Sequence, residues 1–331
     1  MASSHPYSSL RVPKDAPFEL RPSLGKGWGA FAIRQIERGT LILREKPLFI
    51  IQKSHEDITD QDVWMAFQRL LPGQKRQFLC LRDNASDQFK SMNKAFAENC
   101  FLMDGIEPGN GPPVRGLFLL QSRFNHSCVP NSKVPTTNGD TIASFATRDI
   151  LVGEEITFCY DSDFECRTRH ERHQALRFVC DCKACLLGTP FQQLSDPRRR
   201  LIRGLQYLLL GVGLDGQRQV SRSPIITDPE LKRASEYFNI PLTSRFIYNL
   251  LCALLLEQEE LLDDFMNERV TPSIDTAVSF FRTDANATIA KFAMAQETWL
   301  EKVDVAFRLF GQADACDHEL ALLLRQLRGV S

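Results

Sequence analysis

The sequence contains no long uninterrupted apolar run, and its opening MASSHPYSSL has no basic start followed by an apolar stretch. The first absence excludes a membrane-spanning helix, and the second predicts no secretory signal. Positive charge is not in excess either, because 40 Lys and Arg stand against 41 Asp and Glu. Direct binding to nucleic acid is therefore not expected. We expect a protein of the nucleus, the cytoplasm or both, where cysteines stay free or bind metal because thiols are kept reduced.

The composition is that of an ordinary globular protein. Of its 331 residues, 43% are hydrophobic and 24% are charged. This length is enough for two domains, with a core that does not need disulfide bonds or metal sites to be stable. One basic cluster, Arg198–Arg200 with Arg203, interrupts the even charge distribution. Such runs are usually solvated, so we predict an exposed helix face there and no binding patch.

The first half of the chain is predicted to be rich in short strands. Residues 17–52 alternate β-type runs with two turns, Gly25–Gly29 and Glu37–Thr40. Within them, the clearest strand candidates are Leu41–Leu43 and Leu48–Ile51. Residues 104–114 form a Gly/Pro loop, and short strands with turns follow it up to Tyr160.

Two helices are predicted between these strands. Thr59 and Asp62 have the spacing of an N-cap pair, and Leu71–Gly73 is expected to end the helix that they begin. A second helix is predicted from near Ser86. Its apolar face would carry Phe89, Met92 and Phe96.

The chain changes character after Cys185, where leucine becomes frequent and apolar residues recur at spacings of three and four. Asp196 followed by Pro197 predicts a helix start, since proline costs nothing at the first helical position. We place a domain boundary near residues 188–197. The clearest helical segments beyond it are 246–265, 285–310 and 313–327.

Three cysteines in the run CDCKAC, namely Cys180, Cys182 and Cys185, are spaced so that they can bind one metal ion. Because thiols stay reduced here, a metal site is favoured over redox cysteines. Four thiolates around one ion form a closed structural zinc site. Cys128 and Cys166 are both candidates for the fourth ligand. The scattered cysteines are expected to be core residues: Cys80, Cys100, Cys159, Cys252 and Cys316.

Three further motifs carry candidate chemistry. The run GKGWG at Gly25–Gly29 is a turn whose glycines would let the backbone approach a ligand, although a plain hairpin explains it equally well. The run RFNHSCVPN at 123–131 contains the polar pair Asn125 and His126. The run GEEITFCY ends a predicted strand on Tyr160, where a tyrosine packed only on the core is the simpler alternative.

In this order, GKGWG, RFNHSCVPN, GEEITFCY and CDCKAC resemble the SET-domain methyltransferases, with the SMYD-type enzymes and their fungal relatives the nearest likeness. The resemblance implies an α+β SET fold that is rich in β-strands and has a threaded knot. The implied parts are an N-terminal extension at 1–16, the SET domain at 17–187 with a helical insertion at about 53–98 and a zinc cluster at 180–185, and an all-α C-terminal domain at 195–331.

The resemblance also implies a cofactor, S-adenosylmethionine, and the residues that hold it. The glycine-rich turn would contact it through Lys26, Gly27, Trp28 and Gly29, with Lys26 near its carboxylate. Further contacts would come from Asn99, Ser122, Asn125 and His126, and Phe178 would stack on the adenine. In the family the cysteine after Asn-His-Ser completes the zinc site, which selects Cys128.

Tyr160 is the implied catalytic residue and would also contact the cofactor. Methyl transfer to an amine requires two aligned atoms, a dry site and a neutral lysine. A tyrosine hydroxyl can orient the amine without itself ionising, while burial and the nearby sulfonium lower the pKa of the lysine. The partner is then a lysine-containing protein, histone or non-histone, and a monomer is expected.

The sequence departs from the family pattern in three places. The second zinc module of the SMYD branch cannot form, because residues 53–98 hold one cysteine, Cys80, and one histidine, His55. Ser162 stands where many relatives have a second tyrosine, and Leu176 stands where a tyrosine often precedes the stacking aromatic. These departures leave the predicted fold unchanged and bear on substrate preference and on the number of methyl groups added. Two alternative hypotheses are a degenerate SET scaffold that binds partners and a zinc-containing regulatory protein with another ligand.

Overall fold

A computed structural model describes residues 5–83, 87–103, 112–135, 141–176, 178–210, 252–253 and 255–263 of the chain. The chain divides into two compact units, Met1–Cys159 and Tyr160–Ser331. No helix among these residues is both long enough and apolar enough to span a membrane.

The first unit consists mainly of short strands in three sheets. In the part of the chain that the structure describes, one sheet has the order β1-β2-β10-β7, the second β3-β9-β8 and the third β4-β6-β5. Their bounds are β1 Phe18–Ser23, β2 Gly27–Ala32, β3 Leu41–Glu45, β4 Ile50–Gln52, β5 Cys100–Met103, β6 Val114–Leu117, β7 Asn125–His126, β8 Ser132–Lys133, β9 Ile142–Ala146 and β10 Glu155–Phe158.

The first hairpin, β1–β2, turns where the sequence predicts it. Gly25 and Gly27 have φ values of +74° and +78°, a backbone region that residues with a Cβ rarely adopt. Ser23 pairs with Gly27 on either side of this turn, and Phe18 pairs with Ala32 at the far end. The hairpin therefore depends on glycine at two positions of the GKGWG run.

One strand pair in the first unit is parallel. Thr157 and Phe158 of β10 pair with Asn125 and His126 of β7, whereas the other strand pairs described are antiparallel. The Ser127 amide continues the pairing by donating to the Phe158 carbonyl at 3.1 Å. The parallel pairing therefore holds Asn125 and His126, two residues predicted to bind a ligand, against β10, the strand that precedes Tyr160.

Three helices lie between β4 and β5: α1 Asp60–Gln68, α2 Pro72–Leu79 and α3 Met92–Ala97. The predicted N-cap of α1 is confirmed, because Thr59 and Asp62 form a capping box. The predicted stop at Leu71–Gly73 is wrong, because α1 ends earlier, at Gln68 with Arg69 as its C-cap, and Pro72 and Gly73 instead begin α2. These helices cover an apolar cluster around Val63, Phe96 and Leu117.

The helix predicted from near Ser86 begins later than expected. Ser86 lies outside the described residues, and α3 starts at Met92 after Ser91, whose side chain accepts the Lys94 amide at 3.1 Å. Phe89 precedes the helix and packs, partly buried, against the same apolar cluster. The serine nearer to the apolar run is therefore the cap, and Phe89 contributes to the core from outside the helix.

The second unit contains a 3-10 helix at Ser162–Cys166, followed by α4 Arg169–Leu176 and α5 Pro190–Leu210. The predicted start of α5 at Asp196 and Pro197 is wrong, since Pro197 lies inside the helix. Thr189 caps it instead, accepting the Gln192 amide at 3.2 Å. Thr189 and Pro190 form the same cap-and-proline pattern about two helical turns earlier. Asp196 instead accepts the Arg169 amide at 2.6 Å.

The predicted solvated basic face is also wrong. Arg199, Arg200 and Arg203 are 0%, 7% and 6% exposed. Arg199 Nε donates to the fully buried Glu259 carboxylate at 2.9 Å, and Arg203 Nη2 donates to Glu171 at 2.6 Å. A buried guanidinium needs such partners, so the cluster is an internal ionic network of the second unit.

The helices predicted at 246–265, 285–310 and 313–327 lie mostly outside the described residues. Within the first of them, the described positions 252–253 and 255–258 are helical. Cys252, Leu255 and Leu256 are buried there. The predicted Gly/Pro loop at 104–114 is also largely outside the described residues.

Candidate functional site

The glycine-rich turn leads into a close approach between β2 and its neighbours. An added Cβ at Gly29 would overlap the Glu155 carboxylate and would lie 2.9 Å from Nδ2 of Asn125. Gly29 therefore has a packing requirement of its own, separate from the turn. Its missing side chain leaves room for the polar groups of Asn125 and Glu155 at the strand surface.

Asn125 is held by two acceptors. Its Nδ2 donates to Glu155 Oε1 at 2.7 Å and to the Trp28 carbonyl at 3.2 Å. Because β7 and β2 both lie beside β10 in the sheet order, the parallel register brings the asparagine to the glycine-rich strand. Two predicted site residues, Asn125 and Trp28, therefore meet in the structure.

Glu155 links this asparagine to the predicted cofactor lysine. Its Oε2 lies 3.6 Å from Lys26 Nζ, and the two side chains are 17% and 29% exposed. Glu155 belongs to the GEEITFCY run but was not predicted as a site residue. In the sequence, Glu155 is a charged residue at the start of a predicted strand. In the structure, the three positions that follow it in β10 are all buried.

His126 lies on the other side of the same strand and is 3% exposed. Its Nε2 forms a hydrogen bond with Cys128 Sγ at 3.2 Å. A few residues on, Asn131 accepts the Thr157 amide at 2.8 Å and donates to the Glu155 carbonyl at 2.8 Å. Asn131 therefore fixes the whole NHSC turn against β10, a role that the sequence did not reveal.

Asn99 and Ser122 are brought together by an arginine. Arg123 Nη2 donates to Asn99 Oδ1 and, at 3.2 Å, to Ser122 Oγ. Asn99 is 1% exposed and donates from Nδ2 to the Ala95 carbonyl at 2.8 Å. Arg123 was not predicted, because two of its partners, Asn99 and Tyr7, lie 24 and 116 residues away in the sequence.

A buried carboxylate supports the segment that carries Ser122 and Arg123. Glu45 accepts the amides of Leu119 at 2.8 Å and Gln121 at 2.9 Å, and the Leu120 amide between them. Burial raises the pKa of this carboxyl above its ordinary value, against the opposing effect of the amides and of Arg123. Three aligned amides at the start of a 3-10 helix explain why a carboxylate is accommodated there.

Tyr160 and Phe178 belong to the second unit. Tyr160 follows the end of β10 by two residues and is 47% exposed. Phe178, just beyond α4, is 46% exposed. Both rings keep accessible surface, which is compatible with contact to a ligand or a substrate.

Four cysteines form the metal-ligating group that the sequence predicted. The sulfur atoms of Cys128, Cys180, Cys182 and Cys185 all lie within 4.8 Å of one another. Four sulfurs around one zinc ion at about 2.3 Å would lie roughly 3.8 Å apart, so the donor set fits a tetrahedral thiolate site. The described structure therefore contains a four-cysteine cluster that is compatible with zinc.

The alternative fourth ligand, Cys166, is excluded from this cluster. Its thiol is buried and donates to the Asp163 carbonyl at 3.1 Å. Burial raises its pKa to about 12, so the thiol keeps its proton at neutral pH. Among the described residues, its sulfur is not one of the four that lie within 4.8 Å of one another.

Helix α4 supports the three clustered cysteines from within the second unit. The fully buried Arg172 donates to the Ala184 carbonyl at 3.2 Å and to Cys185 Sγ at 3.4 Å. Arg169 Nε donates to the Cys185 carbonyl at 2.8 Å. These bonds fix the backbone around the last cysteine and place positive charge beside a group whose thiolates would be negative.

Comparison with known proteins agrees with this geometry. The family model described as the SET domain matches residues 27–161, which is less than half of the chain. The match includes Gly27–Gly29 of the glycine-rich turn, the Asn125–His126 pair and Tyr160, so the chain contains a SET domain, and the predicted α+β SET fold is confirmed.

Three relatives illustrate the likeness. A SET domain-containing protein of Acanthamoeba polyphaga mimivirus is 28% identical over 193 residues, 49% of this chain and 74% of that protein. The human protein-lysine N-trimethyltransferase SMYD5 is 47% identical over 77 residues, 22% of this chain and 18% of that protein. The histone-lysine N-methyltransferase set5 of Schizosaccharomyces pombe is 28% identical over 188 residues, 55% of each chain. The match thus spans less than two thirds of either named methyltransferase.

Proposed function

We propose that this protein is an S-adenosylmethionine-dependent protein-lysine N-methyltransferase. The observation that carries the proposal is the arrangement of Asn125 and Glu155 around Gly29 inside the segment that matches the SET domain, with Lys26, just before that segment, beside Glu155. The named relatives are lysine methyltransferases, which supports the same reaction class.

The polar groups suit a ligand that carries both charges. S-adenosylmethionine supplies an activated methyl group on a sulfonium, together with an amine and a carboxylate. Lys26 offers an ammonium to the carboxylate, and Glu155, 3.6 Å away, offers a negative charge to the amine. Gly29 leaves room for Glu155 and Asn125 beside the turn, because a Cβ there would overlap their polar atoms. These residues fit the cofactor.

The remaining predicted residues would each supply a different contact to the cofactor. Asn125 and His126 present an amide and an imidazole from one short strand, and Asn99 and Ser122 are held through Arg123. Phe178 keeps half of its ring accessible for stacking on the adenine. Each contact of this kind restricts the cofactor to one orientation, which methyl transfer requires.

Tyr160 is the proposed catalytic residue. The lysine amine must be neutral to attack, so the site must exclude water and lower the pKa of the lysine. The phenol hydroxyl accepts or donates a hydrogen bond without ionising near neutral pH, because a tyrosine has a pKa of about 10. It can therefore hold the amine in line with the transferring methyl.

The substrate is proposed to be a lysine-containing protein, with histone and non-histone proteins as the two classes. We further propose that the protein acts as a monomer in the nucleus, the cytoplasm or both. The alternative function is a degenerate SET scaffold that binds partners without turnover. Ser162 and Leu176, which replace tyrosines of the family pattern, are the observations that favour it.

We also propose one structural zinc ion, bound by Cys128, Cys180, Cys182 and Cys185. The donor set consists of four thiolates with no open position, which is typical of a structural rather than a catalytic site. Its role would be to hold the segment that carries Phe178.

The first test combines binding with turnover. Calorimetry with S-adenosylmethionine separates the two SET hypotheses from the regulatory protein, and turnover on a lysine-containing protein separates the enzyme from the scaffold. Tyr160→Phe keeps the ring and removes only the hydroxyl. Turnover should fall by roughly two orders of magnitude or more, as when one pre-organised donor is deleted, while cofactor binding stays near normal.

Phe178→Leu is a useful comparison, since it should weaken cofactor binding first. Full activity of Tyr160→Phe on a substrate that the wild-type protein methylates would remove Tyr160 from the mechanism. Absence of cofactor binding by the folded wild-type protein would contradict the proposed function as a whole.

A further inference from the structure

A short N-terminal segment, residues 5–11, packs against the glycine-rich turn. Its only regular structure is a 3-10 helix at Pro6–Ser9. The His5 ring stacks on the Trp28 ring with centroids 4.5 Å apart and an interplanar angle of 20°. The Tyr7 ring meets the same indole edge-on, with centroids 6.1 Å apart. Trp28 is thus contacted by two rings from a segment that no motif of the sequence singled out.

The Tyr7 side chain contacts two separate segments of the first unit, at Arg82 and at Arg123. Tyr7 is 1% exposed, and its hydroxyl accepts the Arg82 amide at 3.0 Å and donates to the Arg82 carbonyl at 3.2 Å. Arg123 Nη1 donates to the same hydroxyl, and the Arg123 guanidinium also lies 4.5 Å from the Tyr7 ring centroid. Tyr7 therefore contacts Arg123 through both a hydrogen bond and a cation–π interaction.

Arg123 extends this contact to two predicted cofactor residues. Its second terminal nitrogen donates to Asn99 Oδ1 and to Ser122 Oγ. Because the guanidinium is planar, fixing one nitrogen on Tyr7 fixes the direction of the other. The position of Tyr7 therefore determines where the Arg123 guanidinium holds the side chains of Asn99 and Ser122.

The segment is anchored to helix α2 as well. Gln77 Nε2 donates to the Ser9 carbonyl at 3.0 Å, and its Oε1 accepts the Arg11 amide at 3.3 Å. Leu10 is 6% exposed and belongs to the same apolar core as Tyr7 and Phe18. These contacts make residues 5–11 an integral part of the first unit.

We infer that His5 and Tyr7 are positioning residues for the cofactor site, His5 acting through Trp28 and Tyr7 acting through Arg123. The inference rests on the proposed function, since it assigns them to the binding of S-adenosylmethionine. His5 fixes the indole plane beside the glycine turn, and Tyr7 fixes the guanidinium that holds Asn99 and Ser122. Neither residue touches the reacting atoms in this assignment.

The test measures the Kd and the KM for S-adenosylmethionine, together with kcat, for wild type, His5→Ala and His5→Phe. His5→Ala removes the stacking ring, and we expect the Kd and the KM to rise about three- to tenfold while kcat at saturating cofactor stays near wild type. His5→Phe keeps an aromatic ring over the indole, so its Kd should return to near the wild-type value. A residue that only stabilises the fold would lower Tm without this selective change and rescue.

Tyr7→Phe tests the second path independently. It keeps the ring under the guanidinium and removes the hydroxyl, so a rise in Kd of at least about threefold is expected. Wild-type binding with an unchanged Kd in folded His5→Ala and Tyr7→Phe would overturn the inference and leave the proposed function intact. A wild-type protein that does not bind the cofactor would overturn both.

Discussion

Asn125 illustrates how one side chain can link three parts of the candidate site. It lies on β7, donates to Glu155 on β10 and to the Trp28 carbonyl on β2. Its Nδ2 is satisfied by these strands, while its Oδ1 is available as a hydrogen-bond acceptor toward a ligand amine. An amide suits this position better than a hydroxyl, because its nitrogen donates while its oxygen accepts. A hydroxyl has a single oxygen for both functions.

Replacing Asn125 by alanine should therefore weaken cofactor binding and leave the fold in place. A lost hydrogen bond to a charged group costs about 1.5–3 kcal/mol, so the Kd for S-adenosylmethionine should rise at least about tenfold. Calorimetry measures the affinity, and circular dichroism at the same temperature verifies the fold.

Two asparagines provide controls for that experiment. Asn93→Ala changes a partly buried residue of α3 and should leave the Kd unchanged. Asn131→Ala removes the side chain that bridges the NHSC turn to β10, so it should lower Tm as well as affinity. Normal affinity in folded Asn125→Ala would contradict its assignment as a cofactor residue.

At the scale of elements, α1 shows how local chemistry sets a helix start. Asp62 accepts hydrogen bonds from Lys53 Nζ at 2.7 Å and from the Thr59 amide at 2.9 Å. The bond from Lys53 is the main reason that the pKa of Asp62 falls to about 2 from 3.8, with the Thr59 bonds adding to it. The charged carboxylate therefore stabilises the folded state.

The sign of the pH dependence follows from that depressed pKa. The stabilisation from Asp62 is complete above the unfolded value of 3.8 and is lost as pH falls toward the folded value of about 2. Asp62→Asn should lower Tm at pH 6 and have little effect near pH 2. Thermal melts across this range measure the difference, and Asp57→Asn, at an exposed position one turn earlier, is the matched control.

A constant Tm difference between wild type and Asp62→Asn over the whole range would contradict the assignment. In that case the lost stability would come from a change in the hydrogen-bond geometry of the cap and not from the carboxylate charge.

Helix α5 is stabilised by its buried ion pairs. Glu259 is fully buried and accepts from Arg199 Nε at 2.9 Å, from Arg198 Nη1 at 3.2 Å and from Ser195 Oγ at 2.7 Å. Three donors around one carboxylate compensate for its loss of water. Within the second unit, the network also reaches the 3-10 helix after Tyr160, since Arg203 Nε donates to the Cys166 carbonyl at 2.9 Å.

Glu259→Ala should be strongly destabilising, because it leaves Arg199 buried without its carboxylate. Breaking a buried pair from one side costs about 3–5 kcal/mol of unfolding free energy. Chemical denaturation measures it, with the exposed Glu257→Ala as the control, for which a change within about 0.5 kcal/mol is expected. Equal effects of the two variants would argue that the network contributes nothing to stability.

At the scale of the whole molecule, the four-cysteine cluster brings together two separate parts of the sequence. Its sulfurs come from Cys128 and from the run at 180–185, and all lie within 4.8 Å of one another. Metal binding adds to folding free energy wherever the site is formed only in the folded state.

We predict about one zinc ion per chain, with a Zn–S distance of about 2.3 Å. Cys182→Ser should lower the metal content, Tm and cofactor affinity together, and chelation should reproduce the loss of Tm in the wild type. Elemental analysis and X-ray absorption measure the metal. Cys166→Ser is the matched control, because that buried thiol lies outside the cluster and should leave the zinc content unchanged. Freshly purified protein without zinc would rule out this site.

The sequence alone determined those features that a few neighbouring residues decide. The capping box of α1 spans four positions, and the β1–β2 turn needs only glycine at 25 and 27, where φ is positive. The CDCKAC spacing likewise identified three cysteines that the structure brings together. In each case the interacting atoms are close in the chain, so the pattern of residue types is sufficient.

The tertiary structure decided everything that depends on a distant partner. The Arg198–Arg200 run has the composition of a solvated face, but Glu259, 60 residues beyond Arg199, makes its burial possible. Arg123 likewise meets Tyr7 across 116 residues, and Asn125 meets Glu155 across 30. A charged or polar side chain can be buried only where folding supplies its counter-charge or hydrogen-bond partner, and that partner is not encoded in the local pattern.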